Sequence, residues 1–346
     1  MSTSPASESF AQAGTHAHDA ESTGATHERH AARERLAARV RTELDAPVLP
    51  EAHDVARYAR ELHGDTYGPA LFYGSCLRAD SPEGIMDVYL LSRSHAEFHG
   101  RSSGGRALAG LNWLIPPNIY FWMIPHAEHG SLRAKVAVVT EQQFADGSRF
   151  DAWSPSIWAR FCQPCVLLDS PDEAARERVV DTIVTAILTA ARWAAYLGPR
   201  SGSTRDYWTA LFAATYGAEL RPERNNRPAI IYDANAERYD ALLRDAWAAL
   251  DIPYTVDGEV LTPVVDAAAQ AVAKRGFVAR QRSGKGISVA RIVKGALTFS
   301  GGVDYLLWKV ERHSGVSVEL SDWQRKHPFL GAPGVFLQLR RAGAVR

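Results

Sequence analysis

The sequence has few cysteines and methionines, no excess of either charge and no long hydrophobic run. Its 346 residues include three cysteines, three methionines, and 39 basic against 39 acidic residues. Three cysteines cannot form a paired disulfide framework, which favours a reducing cytoplasm. Balanced charge gives no reason to expect nucleic acid as a partner. Because no segment reaches the roughly 18 to 20 apolar residues of a spanning helix and no signal-peptide pattern is present, we expect a cytoplasmic protein.

Two short patterns have both a metal-binding and a structural interpretation. Cys162-Gln163-Pro164-Cys165 has the spacing of half a zinc site, but no second pair of ligands follows it. Two buried thiols are therefore the favoured interpretation. His126-Ala127-Glu128-His129 also lacks a nearby third ligand in the sequence, and we interpret it as a polar turn.

The order of the remaining patterns indicates an α/β protein preceded by a tail. Residues 1–32 are rich in Ser, Thr, Ala, His and Gly and predict a disordered tail. Two short helices are expected between residues 31 and 62. Within a domain at 33–170, strand-like runs separated by Pro and Gly predict the strands of a mixed sheet, at 67–73, 87–92, 118–124 and 132–140.

Helical periods dominate the second half of the chain. They predict helices at 174–197, 204–216, 236–250 and 262–275. Residues 171–265 are therefore expected to form a mainly helical domain, for which a winged-helix-like form is one option. Residues 266–346 are expected to form a basic C-terminal helical tail.

A strand that ends in Gly-Ser precedes a strand that begins with an aspartate. Tyr73-Gly74-Ser75 closes the first strand, and Asp87 lies among apolar residues of the second. Glycine lets a backbone approach a triphosphate closely, and a serine hydroxyl with nearby N–H groups can bond the leaving phosphates. A carboxylate at a sheet edge can hold Mg²⁺ during in-line displacement. This arrangement is typical of polymerase-β-like nucleotidyltransferases, although an ordinary strand-edge aspartate is the alternative.

That superfamily usually carries a second carboxylate two positions after the first. Here Tyr89 occupies that position. Either the site holds one metal through a single carboxylate, or another acidic side chain completes it. The candidates for that second ligand are Asp80, Glu83, Glu97 and Asp151.

These residues resemble one branch of the superfamily, the mitochondrial-type phosphatidate cytidylyltransferases. That branch has Tyr-Gly-Ser, then Met, an apolar residue and Asp, and it also lacks the second Asp. Here Asp87 follows Met86 directly, one residue sooner than in the family. Phe98-His99 resembles the family's Trp-His, and residues 132–140 resemble its Leu-Ile-Lys-Tyr-Gly-Val-Ile-Ser strand.

Further along the chain, Ala159-Arg160-Phe161-Cys162-Gln163-Pro164 resembles the family's Gly-Arg-Leu-Gln-Lys-Pro. The resemblance covers residues 71–166 well and the following helical region loosely, to about residue 245. The family's Asn- and Lys-rich stretch is replaced here by residues 100–106. Contacts that the family makes through that stretch are therefore not carried over.

The resemblance implies transfer of CMP from CTP to phosphatidate, with Mg²⁺ as cofactor and release of pyrophosphate. It implies that Asp87 holds the metal and that the turn at residues 73–75 cradles the triphosphate. Lys135 would neutralise phosphate charge, and Arg160 would grip the triphosphate or the lipid headgroup through its planar fork. A lysine that reaches for solvent and a surface arginine are the alternatives for these two cations.

A stretch without acidic residues, from 267 to 303, predicts a basic amphipathic helix over residues 287–299. Near an anionic leaflet, each cation contributes up to about 1 kcal/mol to attachment. The cations expected to face lipid are Arg280, Arg282, Lys285, Arg291 and Lys294. We therefore expect peripheral association with the inner leaflet of a membrane, with a solvated basic face as the alternative.

Two other functions stay open. The first is a nucleotidyltransferase of the same fold that acts on a different phospholipid, a small molecule or a protein. The second is a catalytically inactive relative that binds a membrane surface or nucleic acid. The inactive relative would bind no nucleotide with Mg²⁺, and its binding to lipid or RNA would weaken steeply with salt.

Overall fold

Strands alternate with helices in the first half of the chain, and helices dominate the second half. The computed structural model describes residues 8–216 and 227–298, with Ser321 and Trp323. The helices there are α1 (Glu8–Leu44), α2 (Pro50–His63), α3 (Ser75–Ala79), α4 (His95–His99), α5 (Ser103–Leu114), α6 (Glu141–Ser148), α7 (Trp158–Phe161), α8 (Glu173–Leu197), α9 (Thr204–Tyr216), α10 (Arg227–Asp233), α11 (Ala236–Ala249) and α12 (Ala267–Thr298). The strands are β1 (Tyr67–Tyr73), β2 (Met86–Ser92), β3 (Asn118–His126), β4 (Gly130–Thr140), β5 (Cys165–Asp169), β6 (Tyr254–Asp257) and β7 (Val260–Pro263).

Residue contacts divide the chain into two compact units. The first unit comprises residues 1–48 and 140–289, and the second comprises residues 49–139 and 290–346. The domain limits expected from the sequence, at 32, 170 and 265, stay predictions. Those limits separate segments that are expected to fold on their own. The two compact units are defined by contacts within the whole chain, so they do not test whether a segment folds alone.

One mixed sheet contains five strands, in the order β3–β4–β2–β1–β5. β1 pairs antiparallel with β2, which sets Tyr73 opposite Asp87, and β3 pairs antiparallel with β4, which sets Phe121 opposite Lys135. Most residues of β1 and β2 are buried on both faces, as their near-continuous apolar sequences favour. The α/β class with a mixed sheet, predicted from the sequence, is confirmed.

Helix α8 is the central helix of the first unit. Asp172 caps it by accepting a hydrogen bond from the Ala175 N–H at 2.7 Å. Among the described helices, α8 alone is long and apolar enough to cross a membrane, but 72% of its apolar segment is buried inside the protein. Its Trp193 is buried with Trp208 of α9 and Trp247 of α11. α8 is thus a core helix, which explains its apolar composition.

Two local predictions differ from the structure. Helix α1 begins at Glu8, within the expected disordered tail, and its second half is anchored because Leu36, Val40 and Leu44 are buried. The helix expected at 262–275 is wrong at its start. There β6 and β7 form a hairpin around Gly258, whose φ is +59°, because β-branched residues and a glycine turn favour paired strands.

Candidate functional site

Strand β1 ends in a turn that requires glycine. Gly74 has a φ of +97°, which residues with a Cβ rarely adopt. A Cβ placed on Gly74 would lie 2.8 Å from Asp87 Oδ2, too close for any side chain to fit without movement. The turn therefore brings its backbone against the Asp87 carboxylate. Ser75 follows it as an exposed residue at the start of α3.

Asp87 faces a lysine from another strand of the sheet. Lys135 Nζ on β4 lies 3.7 Å from Asp87 Oδ1. The Asp87 side chain is 25% exposed and that of Lys135 is 37% exposed, so solvent reaches this ion pair. A pair with this exposure contributes at most about 1 kcal/mol to stability. Both charges can therefore change partners at little cost when a charged ligand arrives.

The position of the usual second carboxylate holds a buried tyrosine. Tyr89 is 3% exposed, and its ring centroid lies 5.5 Å from that of Tyr73. Asp87 and Tyr89 are two positions apart on β2 and so share a face of the sheet with Tyr73, the strand partner of Asp87. An aromatic pair, rather than a second carboxylate, flanks Asp87 on this face.

Among the described residues, no cluster of metal-binding side chains includes Asp87. The four candidates for the second ligand are all exposed: Asp80, Glu83, Glu97 and Asp151. In the described part of the chain, no group of three or more His, Cys, Asp or Glu side chains could hold a metal ion. Mg²⁺ often binds proteins through one or two carboxylates and completes its shell with phosphate oxygens and water. Asp87 fits that mode, in which the ion arrives with a triphosphate.

The second unit brings together Tyr73, Gly74, Ser75, Asp87 and Lys135. Arg160 belongs to the first unit. There its guanidinium donates to the Ser156 carbonyl, one turn earlier in the chain. Its role in gripping phosphate therefore stays a prediction.

Most of the cations expected to face lipid have internal partners where their side chains are described. Arg280 donates to the Ala152 carbonyl at 3.2 Å. Arg291 donates to the Pro116 carbonyl at 2.8 Å. Lys294 is 4% exposed and donates to the Pro117 carbonyl at 2.6 Å.

A lipid headgroup could not reach the Lys294 amine in this structure, and burial lowers the pKa of that amine to about 8. Arg282 is exposed, as expected of a residue that faces a membrane. The side chain of Lys285 lies outside the described residues. The lipid-facing role of these five cations thus stays a prediction, and the placement of Lys294 does not suit it.

A buried polar network that sequence reasoning missed lies near the other end of β2. Asn112 of α5 is fully buried, and its amide donates to the Val138 carbonyl at 3.1 Å and lies 3.0 Å from His95 Nδ1. The Asn118 amide lies 3.2 Å from His99 Nε2, and the Tyr120 hydroxyl lies 2.9 Å from His99 Nδ1.

Burial lowers the pKa of His99 to about 4 and raises that of Tyr120 to about 12, so both of these side chains are neutral near pH 7. Amide N–H groups aimed at His99 Nε2 also disfavour a proton there. The His-x-x-x-His spacing of His95 and His99 is the only signal in the sequence that could have indicated this network.

The loop from His126 to His129 is more than a polar turn. His126 Nε2 lies 3.2 Å from Asp54 Oδ2, and His129 Nε2 lies 2.7 Å from Glu51 Oε1. Both carboxylates belong to α2 and are one helical turn apart. The β3–β4 hairpin is thereby tied to α2 by two pairs, a partnership that the sequence spacing alone did not show.

The Cys-x-x-Cys pair consists of two free, buried thiols, as interpreted from the sequence. Burial raises the pKa of Cys162 to about 12 and that of Cys165 to about 12. Metal ligation requires the thiolate. The surroundings of this pair therefore favour a structural role.

No protein-family model matches this chain, and no curated protein matches it. An assignment of function must therefore start from the site around Asp87. The site consists of a glycine at positive φ, Gly74, a single carboxylate, Asp87, and a lysine opposite it, Lys135.

Proposed function

We propose that this chain is a nucleotidyltransferase that transfers CMP from CTP to phosphatidate at a membrane surface, giving CDP-diacylglycerol and pyrophosphate. The observation that carries the proposal is the Asp87–Lys135 pair, 3.7 Å apart and open to solvent, against the backbone of Gly74. A polymerase-β-like organisation of the mixed sheet is part of the same proposal. The motifs that resemble phosphatidate cytidylyltransferases support the choice of substrates.

The proposed reaction is an in-line displacement at phosphorus. A phosphate oxygen of phosphatidate attacks the α-phosphorus of CTP, and a new P–O bond forms. The bond from that phosphorus to the oxygen bridging to the β-phosphate breaks, and pyrophosphate leaves with the electron pair. Catalysis of such a step consists mainly of positioning and of charge stabilisation.

Each residue of the site has a part in that displacement. Gly74 removes the side chain that would otherwise separate the turn from the carboxylate, so a triphosphate can approach the backbone closely. Lys135 leaves Asp87 and balances the charge of the phosphates. Asp87 is then available to a divalent cation. Asp87 would hold Mg²⁺, and the ion would offset the charge that develops on the phosphates.

The acceptor is the part of the proposal that depends most on the resemblance. The half-exposed Asp87–Lys135 pair suits any phosphate-bearing nucleotide, and it favours no particular acceptor by itself. CTP and phosphatidate are proposed because the motifs around residues 73–87 and 132–164 occur in the same order in that family. The experiment below therefore includes other nucleotides and acceptors.

Release of pyrophosphate tests the proposal. The full-length protein is incubated with CTP, Mg²⁺ and vesicles that contain phosphatidate, and pyrophosphate and CDP-diacylglycerol are measured. We expect both products in equal amounts. ATP, GTP and UTP replace CTP in parallel reactions, and a soluble phosphate monoester replaces phosphatidate.

Two variants make the result specific to the site. Asp87→Asn keeps the shape of the side chain and removes its charge, so release should fall at least about 1,000-fold. Asp65→Asn is the matched control, because Asp65 is an almost fully exposed residue of the same unit. Release by the wild type that does not exceed the Asp87→Asn background would refute the proposal. Transfer only to the soluble acceptor would refute the lipid substrate alone.

A further inference from the structure

Helix α5 presents an apolar face to solvent and a polar residue to the interior. The residues buried on α5 are Gly105 and Asn112. Eight residues of α5 are exposed: Ser103, Gly104, Arg106, Ala107, Gly110, Leu111, Trp113 and Leu114. From Ala107 onwards these are apolar residues and a glycine. A helix on the surface of a soluble protein normally has the opposite polarity. The polarity of α5 is therefore inverted.

The most exposed apolar side chains cluster at the C-terminal end of α5. Trp113 is 73% exposed, Leu114 is 66% exposed and Leu111 is 37% exposed. Isolated exposed apolar residues are normal, but neighbouring ones at one helix end commonly mark a surface that contacts another phase or molecule. We call Leu111, Trp113 and Leu114 the α5 tip.

The charged residues of α5 and of the sequence on either side of it have one sign. No acidic residue occurs between Glu97 and Glu128 in the sequence, whereas Arg101 and Arg106 are exposed. Arg106 and Trp113 are seven positions apart, so they project from the same side of the helix. An apolar tip with tryptophan beside arginine complements an anionic bilayer surface, where indole rings lie at headgroup level and cations meet lipid phosphates.

Two cations near the C-terminal end of α12 bond the loop next to this surface. The loop that follows Leu114 contains Ile115, Pro116 and Pro117, and the prolines cannot donate backbone hydrogen bonds. Arg291 donates to the Pro116 carbonyl, and Lys294 donates to the carbonyls of Ile115 and Pro117. These two cations thereby hold the loop at the end of α5 in place.

We propose that the α5 tip is the surface through which this protein docks on an anionic membrane, with Arg106 as its nearest cation and Arg291 and Lys294 as its internal support. This inference deepens the proposed function. It rests on that function only in one respect, namely that docking would give the site access to a lipid substrate. Docking itself needs neither CTP nor Mg²⁺. Binding to vesicles can therefore be measured separately from transfer.

Flotation of the full-length protein with vesicles tests the docking surface. One set of vesicles contains only phosphatidylcholine, and the other contains equal parts of phosphatidylcholine and phosphatidylglycerol, so no substrate is present. We expect binding to the anionic vesicles. The double substitution Trp113→Ser with Leu114→Ser should lower that binding at least about tenfold, because it removes two apolar side chains from the contact. Leu62→Ser is the matched control, since Leu62 is 51% exposed on α2 of the same unit.

A second pair of variants keeps the test valid if the double variant fails to fold. A Cβ placed on Gly110 would meet no atom within 4 Å outside its own stretch of helix. Gly110→Glu should therefore fold and lower binding to anionic vesicles by about tenfold, whereas Gly110→Lys should preserve or raise it. Wild-type binding by Gly110→Glu and by the folded double variant would overturn the proposal, as would an equal loss in Leu62→Ser.

The two proposals fail in different ways. Transfer of CMP to a short-chain phosphatidate dissolved in water requires the Asp87 site and no docking. Transfer to that substrate without any effect of the α5 tip on vesicle binding would refute the docking surface alone. Binding that depends on the tip, without transfer by the wild type, would refute the proposed function alone.

Discussion

The two ends of strand β2 carry opposite kinds of polar chemistry. At its start, Asp87 and Lys135 form a charged pair that solvent reaches. At its end, Ser92 donates to the Val139 carbonyl, next to the buried network of Asn112 and His99. Asp87 and Ser92 are five positions apart on an extended strand, a distance of about 16 Å.

The difference lies in how deeply each group is buried and in how many protein partners its side chain has. In the buried network, amides, rings and carbonyls bond one another, and burial holds His99 in its neutral form. At the open end, a carboxylate has one cation 3.7 Å away and a glycine backbone against it. Groups that already bond one another hold the fold together, whereas a loosely paired, exposed charge is available to a ligand. The predictions below test this contrast.

The largest effect on transfer is expected from Gly74→Ala, next to the Asp87–Lys135 pair at the start of β2. The new methyl group would lie 2.8 Å from Asp87 Oδ2 and would impose a side chain on a φ of +97°. We expect CMP transfer to fall about 1,000-fold, equivalent to about 4 kcal/mol of activation free energy. Pyrophosphate release per folded molecule measures it.

Gly64→Ala is the control for backbone strain in the Gly74 experiment. Gly64 also has a positive φ, +56°, but a Cβ there meets no atom within 4 Å. Its substitution should cost about 1 kcal/mol of stability and leave transfer unchanged. Equal transfer by Gly74→Ala and the wild type would show that the turn does not need to approach Asp87.

The next largest effect is expected from Asn112→Leu, in the buried network near the end of β2. This substitution should lower stability and leave transfer almost unchanged. Asn112→Leu leaves the Val138 carbonyl and His95 Nδ1 without the amide that meets them at 3.1 Å and 3.0 Å. We expect the free energy of unfolding to fall by about 3 kcal/mol, measured by denaturant titration, with little change in transfer per folded molecule. Asn235→Ala is the control, because the Asn235 side chain makes no capping hydrogen bond. A loss below about 1 kcal/mol would mean that the network is not structural.

A smaller effect is expected from the pH dependence of stability. Burial, with lesser contributions from His95, His63 and Lys294, lowers the pKa of His99 from 6.5 to about 4. Between these values the unfolded chain binds the proton and the folded chain does not, so stability is fully present above pH 6.5 and is lost as the pH falls towards 4. We expect about 2 kcal/mol from this residue.

Unfolding measured across that window tests the His99 prediction. His99→Gln should flatten the pH dependence relative to the wild type. His53→Gln, at an exposed position on α2, should not. The same slope in His99→Gln and in the wild type would contradict the buried, neutral state of His99.

Local sequence was sufficient to predict most of the strands. β1 was predicted at 67–73 and is Tyr67–Tyr73, and β2 begins at Met86, one residue before the predicted start. Apolar runs bounded by Gly and Pro carry this information within a few residues. The sequence also indicated Asp87 and Lys135 as partners in one site, but only through the order of motifs. Their separation of 3.7 Å follows from sheet pairing, which spacing along the chain does not specify.

Local sequence did not specify the direction in which each side chain points. The charge of Arg291 and Lys294 was visible in the sequence, and a membrane was the expected partner. The structure turns both towards the carbonyls of the loop after α5, because buried backbone acceptors next to proline need donors from elsewhere. The buried network was missed for the same reason, since its members come from α4, α5 and β3.

The smallest effect is expected from Lys135→Arg. This substitution tests whether the loose geometry of the Asp87–Lys135 pair matters for transfer. The positive charge is kept, but a guanidinium can bond both oxygens of Asp87 in a planar fork, whereas the ammonium lies 3.7 Å from one of them. A tighter pair would release Asp87 less readily to a divalent cation. We therefore expect transfer to fall only about tenfold, with a higher concentration of Mg²⁺ needed for half-maximal rate.

A Mg²⁺ titration of pyrophosphate release measures both quantities, and Lys274→Arg, at an exposed position on α12, is the control. Should Lys135→Arg match the wild type in rate and in Mg²⁺ dependence, charge alone would be sufficient at this position, and the looseness of the pair would have no part in the reaction.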